Sequence, residues 1–198
     1  MRMIEEEIGP HGYGPLEWPI VRRIIHSTAD FDFAGKNEVL FHPSAIQKGM
    51  AALGSGCDIV ADVNGVAGLL NKRNLKEYGN RIVCKVSDED AASRAIQDGS
   101  TRSAASMRLS AEHIDGGVVA AGSAPTALLE VLQMAKEGVA TPVLIVGLPV
   151  GFICAVESKE ELAASEIPHI TNRGRKGGSP SAAAVINALF RLIREPPA

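Results

Sequence analysis

Five short apolar runs, each followed by a stretch of helix-forming character, constrain the fold of this chain more than any other feature. They span residues 57–63, 81–86, 116–121, 142–147 and 169–172. Each is apolar or β-branched and bounded by Gly, Pro, Asn or Asp, the composition of a strand held between turns. The runs are apolar almost throughout rather than alternating, so both faces of the strands must be covered. Helical stretches at residues 43–53, 66–77, 88–112, 125–137, 159–165 and 181–194 supply that cover. Alternation of strand and helix with burial on two sides predicts a three-layer α/β/α arrangement around a mainly parallel, five-stranded sheet. Residues 1–55 are predicted to form a helical N-terminal layer and residues 56–198 the α/β core of a single domain.

Within the N-terminal layer, Ile20-Val21-Arg22-Arg23-Ile24-Ile25-His26 reads as an amphipathic helix. At about 100° per residue, Ile20, Val21, Ile24 and Ile25 share one arc, and Arg22, Arg23 and His26 share the opposite one. A core histidine would sit among the isoleucines; this one sits with the arginines. An imidazole beside guanidinium groups suits proton transfer on a substrate that carries carboxylates. A solvated helix face with an incidental histidine is the competing reading.

Charge and composition remove several function classes. A net charge of −3 provides no field to gather nucleic acid or an anionic membrane surface. An anionic ligand must therefore be held by a local cluster of Arg and Lys. Aromatic residues, at 4%, are too few for a stacking platform. No apolar run is long enough to span a bilayer, and the acidic opening Met-Arg-Met-Ile-Glu-Glu-Glu-Ile lacks a signal-like apolar core. Cys57, Cys84 and Cys154 are odd in number and widely spaced, as expected of buried thiols in a reducing cytoplasm. The histidines show no metal-ligand spacing, and neither a Walker A loop nor a G-x-G-x-x-G fingerprint occurs, so no metal or dinucleotide cofactor is expected. Ser158 stands in Glu157-Ser158-Lys159 rather than in a G-x-S-x-G elbow.

Candidate chemistry falls on the loops after the strands, because open α/β sheets bind ligands at the carboxyl ends of their strands. Gly99-Ser100-Thr101-Arg102-Ser103 opens a helix, with Ser100 or Thr101 expected as its N-cap. Gly122-Ser123-Ala124-Pro125-Thr126 enters another, with Ser123 expected as the cap and Pro125 in the first turn. Both loops aim N–H groups and a helix dipole outward, which favours a carboxylate, although ordinary capping leaves the same signature. Asn172-Arg173-Gly174-Arg175-Lys176-Gly177-Gly178-Ser179 joins three glycines to three cations and reads as a polyanion-binding loop. Gly147-Leu148-Pro149-Val150-Gly151-Phe152 reads as a rigid apolar wall for a large flat ligand, or as simple shaping of the chain after a strand. Alanine-rich stretches at Ala104-Ala105 and Ala182-Ala183-Ala184 suit close packing on the sheet or on a second copy.

Five segments, in this order, resemble the precorrin-8X methylmutase family: Gly-Ser-Thr-Arg-Ser-Ala-Ala at 99–105, Gly-Ser-Ala-Pro-Thr-Ala-Leu at 122–128, Val-Gly-Leu-Pro-Val-Gly-Phe at 146–152, Glu-Ser-Lys at 157–159 and Arg-Gly-Arg-Lys-Gly-Gly-Ser at 173–179. The resemblance runs from about Ile20 to Ala188. It implies a flavodoxin-like fold, a homodimer, and an isomerase of corrin biosynthesis. That reaction moves a methyl group from C-11 to C-12 of precorrin-8X or cobalt-precorrin-8, giving hydrogenobyrinate or cobyrinate. The shift is intramolecular, so no cofactor is implied. The family's catalytic histidine aligns with His26 and a substrate-binding arginine with Arg23. Together with the loops above, the expected contacts to the corrinoid polycarboxylate are Arg22, Ser100, Thr101, Arg102, Ser123, Thr126, Arg175 and Ser179.

The chain also departs from the family pattern. Ser100 and Ser123 stand where the family has Asn, Gly65 where it has Met, and Leu69 where it has Gly. The family's N-terminal segment is longer and supplies a substrate-binding serine without a counterpart here. Two readings stay open on sequence: the isomerase, and a relative that binds a corrinoid without isomerising it.

Overall fold

The computed structural model describes residues 2–196. Six strands form one sheet: β1 (Val39–Phe41), β2 (Ile59–Ala61), β3 (Ile82–Val83), β4 (Val118–Ala121), β5 (Leu144–Gly147) and β6 (His169–Asn172). Their order is β1-β6-β5-β4-β2-β3. Strands β2 to β6 are parallel throughout, in the doubly wound, flavodoxin-like order, and the direction of winding reverses between β2 and β4.

The expected five strands are therefore present, with one more. β1 lies inside the region expected to be wholly helical and runs antiparallel to β6, pairing Val39 with Asn172 and Phe41 with Ile170. At three residues and with only Val39 buried, it carries too little periodicity to stand out in the sequence. An antiparallel edge strand on an otherwise parallel sheet is a common way to finish such a sheet.

Successive strand residues point to opposite faces and so belong to separate cores. Ile59, Ala61, Val118, Ala120, Leu144 and Val146 face one side. There α1 (Arg2–Ile8), α2 (Trp18–Thr28), α3 (Ala45–Gly54), α4 (Asn64–Leu69), α5 (Lys72–Tyr78) and α11 (Ser179–Arg194) cover them. Val60, Val119, Ala121 and Ile145 face the other side. That side is covered by α7 (Arg102–Arg108), α8 (Ala111–Ile114), α9 (Pro125–Lys136) and α10 (Ala155–Ala163), with α6 (Glu89–Asp98) packed on α7.

Helix breaks follow local chemistry. The stretch 88–112 divides into three helices, and the first break comes where Gly99 takes a left-handed conformation (φ 60°) at the end of α6 and Thr101 begins α7 anew. The stretch 66–77 divides at Asn71, whose side chain accepts from the N–H groups of Arg73 and Asn74 and so caps α5. Both alanine-rich stretches are consumed inside the protomer. Ala104 and Ala105 are buried in α7, which packs on α9, and Ala182 to Ala184 are buried where α11 meets the sheet and α2. Of the two readings, packing within the protomer is the one observed, and neither stretch offers a flat surface to a second copy.

Candidate active site

The amphipathic α2 sets the first element of the site. Ile20, Val21, Ile24 and Ile25 are at most 1% exposed, while Arg22 and Arg23 are half-buried and His26 is exposed. Burial of such aliphatic side chains contributes about 1.5–3 kcal/mol each, which fixes the helix by its apolar arc and leaves the other arc to present polar groups. Ala29, in a left-handed conformation, ends the helix. Ser27 then accompanies the start of α11, its hydroxyl donating to Ile24 O (2.9 Å) and Pro180 O (3.4 Å). His26 thus stands at the carboxyl edge of the sheet, beside the loop that leads to Ser179.

That loop, residues 173–178, sorts its three cations. Arg173 Nε donates to Glu38 Oε1 at 2.7 Å. Lys176 Nζ reaches Asp30 and Asp32, both at 2.7 Å, and these bonds raise its pKa while lowering that of Asp32. Arg175 has no ion pair among the described residues; its guanidinium lies 5.6 Å from the ring centroid of Phe152, a cation–π arrangement. Of the three, only Arg175 is available to a ligand. The glycines are needed: Gly174 adopts φ 75° with any Cβ driven into the Asn37 amide, and a Cβ at Gly177 would strike the Leu148 carbonyl. Ser179 lies close to Gly65 and Gly122, at the point where the strand order reverses.

The loop 122–126 departs from expectation. Ser123 does not cap α9; Ala124 occupies that position without a side-chain bond, although Pro125 does stand in the first turn. The N–H groups of Ser123 and Ala124 instead donate to Asp62 Oδ2, both at 2.7 Å. Asp62 directly follows β2 and is fully buried; burial pushes its carboxyl pKa up although the N–H donors pull the other way. The outward-facing N–H groups expected to meet a ligand carboxylate are therefore satisfied by the protein's own. In the neighbouring loop Thr101 caps α7, accepting from Ala104 N at 3.1 Å, and its hydroxyl meets that of Thr126 at 2.8 Å. Ser100 and Arg102 are exposed beside them. These four residues form one polar cluster. Arg22 and Arg23 open elsewhere, into a flank cavity between α2, α5 and α11, and Arg22 is paired with Glu5.

Two structurally decisive residues were absent from the expected set. Besides Asp62, Lys159 is 2% exposed and has no carboxylate partner among the described residues. Its ammonium donates to Lys176 O at 2.8 Å and Asn172 Oδ1 at 3.3 Å, which anchors the cationic loop from below, and burial pulls its pKa down to about 8. A signal existed. Ala155, Ser158, Lys159 and Leu162 recur at helical spacing on the buried stripe of α10, so a lysine stands at a core-facing position.

The fold and edge together define a doubly wound α/β protein that offers an anionic ligand one exposed imidazole and unpaired guanidinium groups. A family model described as precorrin-8X methylmutase matches residues 1–192. A cobalt-precorrin-8 methylmutase from Priestia megaterium is 48% identical over 190 residues, covering 96% of this chain and 84% of that protein. A precorrin-8X methylmutase from Pseudomonas aeruginosa is 41% identical, covering 84% and 80%. Among solved structures, a precorrin-8X methylmutase from Thermus thermophilus superposes with a TM-score of 0.89 at 38% identity, covering 97% of this chain and 92% of that one. The chain belongs to the precorrin-8X methylmutase family.

Proposed function

We propose that this chain catalyses the family's isomerisation, the migration of a methyl group from C-11 to C-12 of precorrin-8X or cobalt-precorrin-8, with His26 as the proton donor. The observation that carries the assignment is the position of His26. It lies on the exposed arc of a helix whose end is bonded to the start of α11, at the edge that holds Arg175 and Ser179. Relatives at 48% and 44% identity that carry the name cobalt-precorrin-8 methylmutase support catalysis over binding alone.

Substrate and product are isomers, so no atom is gained or lost in a turnover. His26 donates its imidazole proton to the macrocycle, the π-electrons redistribute, the bond from the methyl carbon to C-11 breaks as the bond to C-12 forms, and the proton returns. Positioned acid catalysis of this kind contributes about 10²–10⁴-fold. Arg175 and Arg23 would hold peripheral carboxylates and orient the ring, as guanidinium forks do. Thr101, Thr126, Ser100, Arg102, Ser123, Arg22 and Ser179 complete the proposed contacts. In an absorbance assay with cobalt-precorrin-8, His26→Ala is expected to lose about 10²-fold or more in turnover while still binding the corrinoid. A loss of only a few-fold would overturn the assignment of His26.

We also propose a homodimer. Phe152 and Ile153, 87% and 83% exposed, form an apolar knob beside Arg175 that a second copy could cover near the substrate. Light scattering is expected to give twice the 20.8 kDa of one chain; a clean monomer at micromolar concentration would rule it out. The three free cysteines fit a reducing compartment, and we place the protein in the cytoplasm.

A further inference from the structure

The flank cavity is separate from the loops of the sheet edge. It measures about 390 Å³ and is lined by Arg22, Arg23, Asn74, Asn187, Arg191 and Arg194, among others. Four arginines around one cavity stand out in a chain with a net charge of −3. Two of them are balanced: Arg22 bonds to Glu5, and Arg191 Nε lies 3.1 Å from Glu195 Oε2. Arg23 and Arg194 have no ion pair among the described residues. Two buried polar atoms in the walls also lack a partner, Arg22 Nε and Asn74 Oδ1, and Asn74 is only 3% exposed. Buried polar groups are almost always hydrogen-bonded, so orphans in the wall of a cationic cavity call for a ligand. A guanidinium N–H seeks an oxyanion, and the side-chain amide can turn to present its N–H to the same atom.

We propose that this cavity is a carboxylate subsite that takes a peripheral arm of the corrinoid whose ring meets His26. The inference rests on the function proposed above. Arg23 precedes His26 by three residues, so their side chains leave the same face of α2 about 5–6 Å apart. An arm of a few carbon atoms that leaves the ring at His26 reaches Arg23 and then the arginines of α11. The subsite fixes the rotation of the ring over the imidazole, and with it which carbon receives the proton. It also separates a free carboxylate from its amide, because an amide cannot accept a bidentate guanidinium in the same way.

The test uses the full chain and two probes: cobyrinate, and the same corrinoid with its carboxylates converted to amides. Dissociation constants are read by absorbance titration for the unaltered protein, Arg191→Gln and Arg194→Gln, with thermal melts as a check on folding. Each substitution is expected to weaken cobyrinate about 10- to 100-fold and to change affinity for the amidated ring by less than about threefold. Equal affinities for cobyrinate in all three proteins would overturn the subsite. Stabilisation by citrate in the unaltered protein alone, without displacement of cobyrinate, would also overturn it, by showing a separate small-polycarboxylate site. If the unaltered protein binds no corrinoid, the functional reading fails and the subsite with it. That outcome is distinct from one in which the unaltered protein and both variants bind equally.

Discussion

Two loops leave the same edge of the sheet and look alike in sequence, each with glycine and polar residues before a helix that has proline in its first turn. They use their polar groups in opposite ways. At 122–126 the N–H groups of Ser123 and Ala124 are bound by Asp62 from inside the protein. At 173–178 the Arg175 guanidinium is left over after Arg173 and Lys176 have found carboxylates. The first loop turns its N–H groups inward at the point where the strand order reverses, and the second leaves a guanidinium without an ion pair among the described residues. A polar motif at a strand end therefore identifies a functional edge without saying which of its groups face outward.

The sharpest way to break this contrast is to remove the internal carboxylate. Asp62→Ala empties a fully buried position, strands two half-buried donors and is expected to cost about 3 kcal/mol, lowering Tm by roughly 6–12 °C. A melt like that of the unaltered protein would show that these N–H groups are satisfied without Asp62.

Lys159 tests the foundation of the second loop. Its pKa falls from 10.5 to about 8 on burial, so between those values the unfolded chain holds a proton that the folded one has released. Stability should rise with pH across that window, by at most on the order of 3 kcal/mol, and the contribution is lost as pH falls through 8. Denaturant titrations of Lys159→Met are expected to lack this rise. An identical pH slope in both proteins would mean that Lys159 does not titrate there.

The smallest effects separate the cations of that loop. Arg175→Ala should weaken cobyrinate by about 1.5–3 kcal/mol, one to two decades, with little change in Tm. Arg173→Ala removes an exposed pair to Glu38 and should alter stability by less than about 1 kcal/mol and leave affinity intact. If Arg173→Ala proved as damaging to binding as Arg175→Ala, the division between paired and available cations would fail.

Much of the architecture was legible because burial on both strand faces leaves a strong trace: Ile59, Val60 and Ala61 are all apolar for different cores. The orientation of α2 was equally legible, since a helix with four isoleucine or valine residues on one arc has only one way to bury them. β1 was not, because three edge residues with only Val39 buried produce no period. Nor was the role of Asp62: a carboxylate after a strand looks the same whether it faces solvent or two N–H groups across the sheet, and only the pairing of β2 with β4 decides. Arg175 could be named from sequence as one of three cations, but its release depended on Glu38, Asp30 and Asp32 arriving from more than a hundred residues away.

That long reach has a kinetic consequence. α2 rests on α11, and the Ser27–Pro180 bond that joins their ends spans 153 positions of the chain. The helix that presents His26 is made near the beginning of synthesis, yet the surface it lies against emerges last. Closing so long a loop costs entropy before the contact repays it, and folds dominated by distant pairings fold slowly. Strands β2 to β5 and the α7–α9 side lie well before α11 in the chain, whereas α2 lacks its main packing partner until α11 is made. The helix that carries the proposed proton donor therefore cannot complete its packing before α11 is made, and apolar surface uncovered in that interval is open to aggregation.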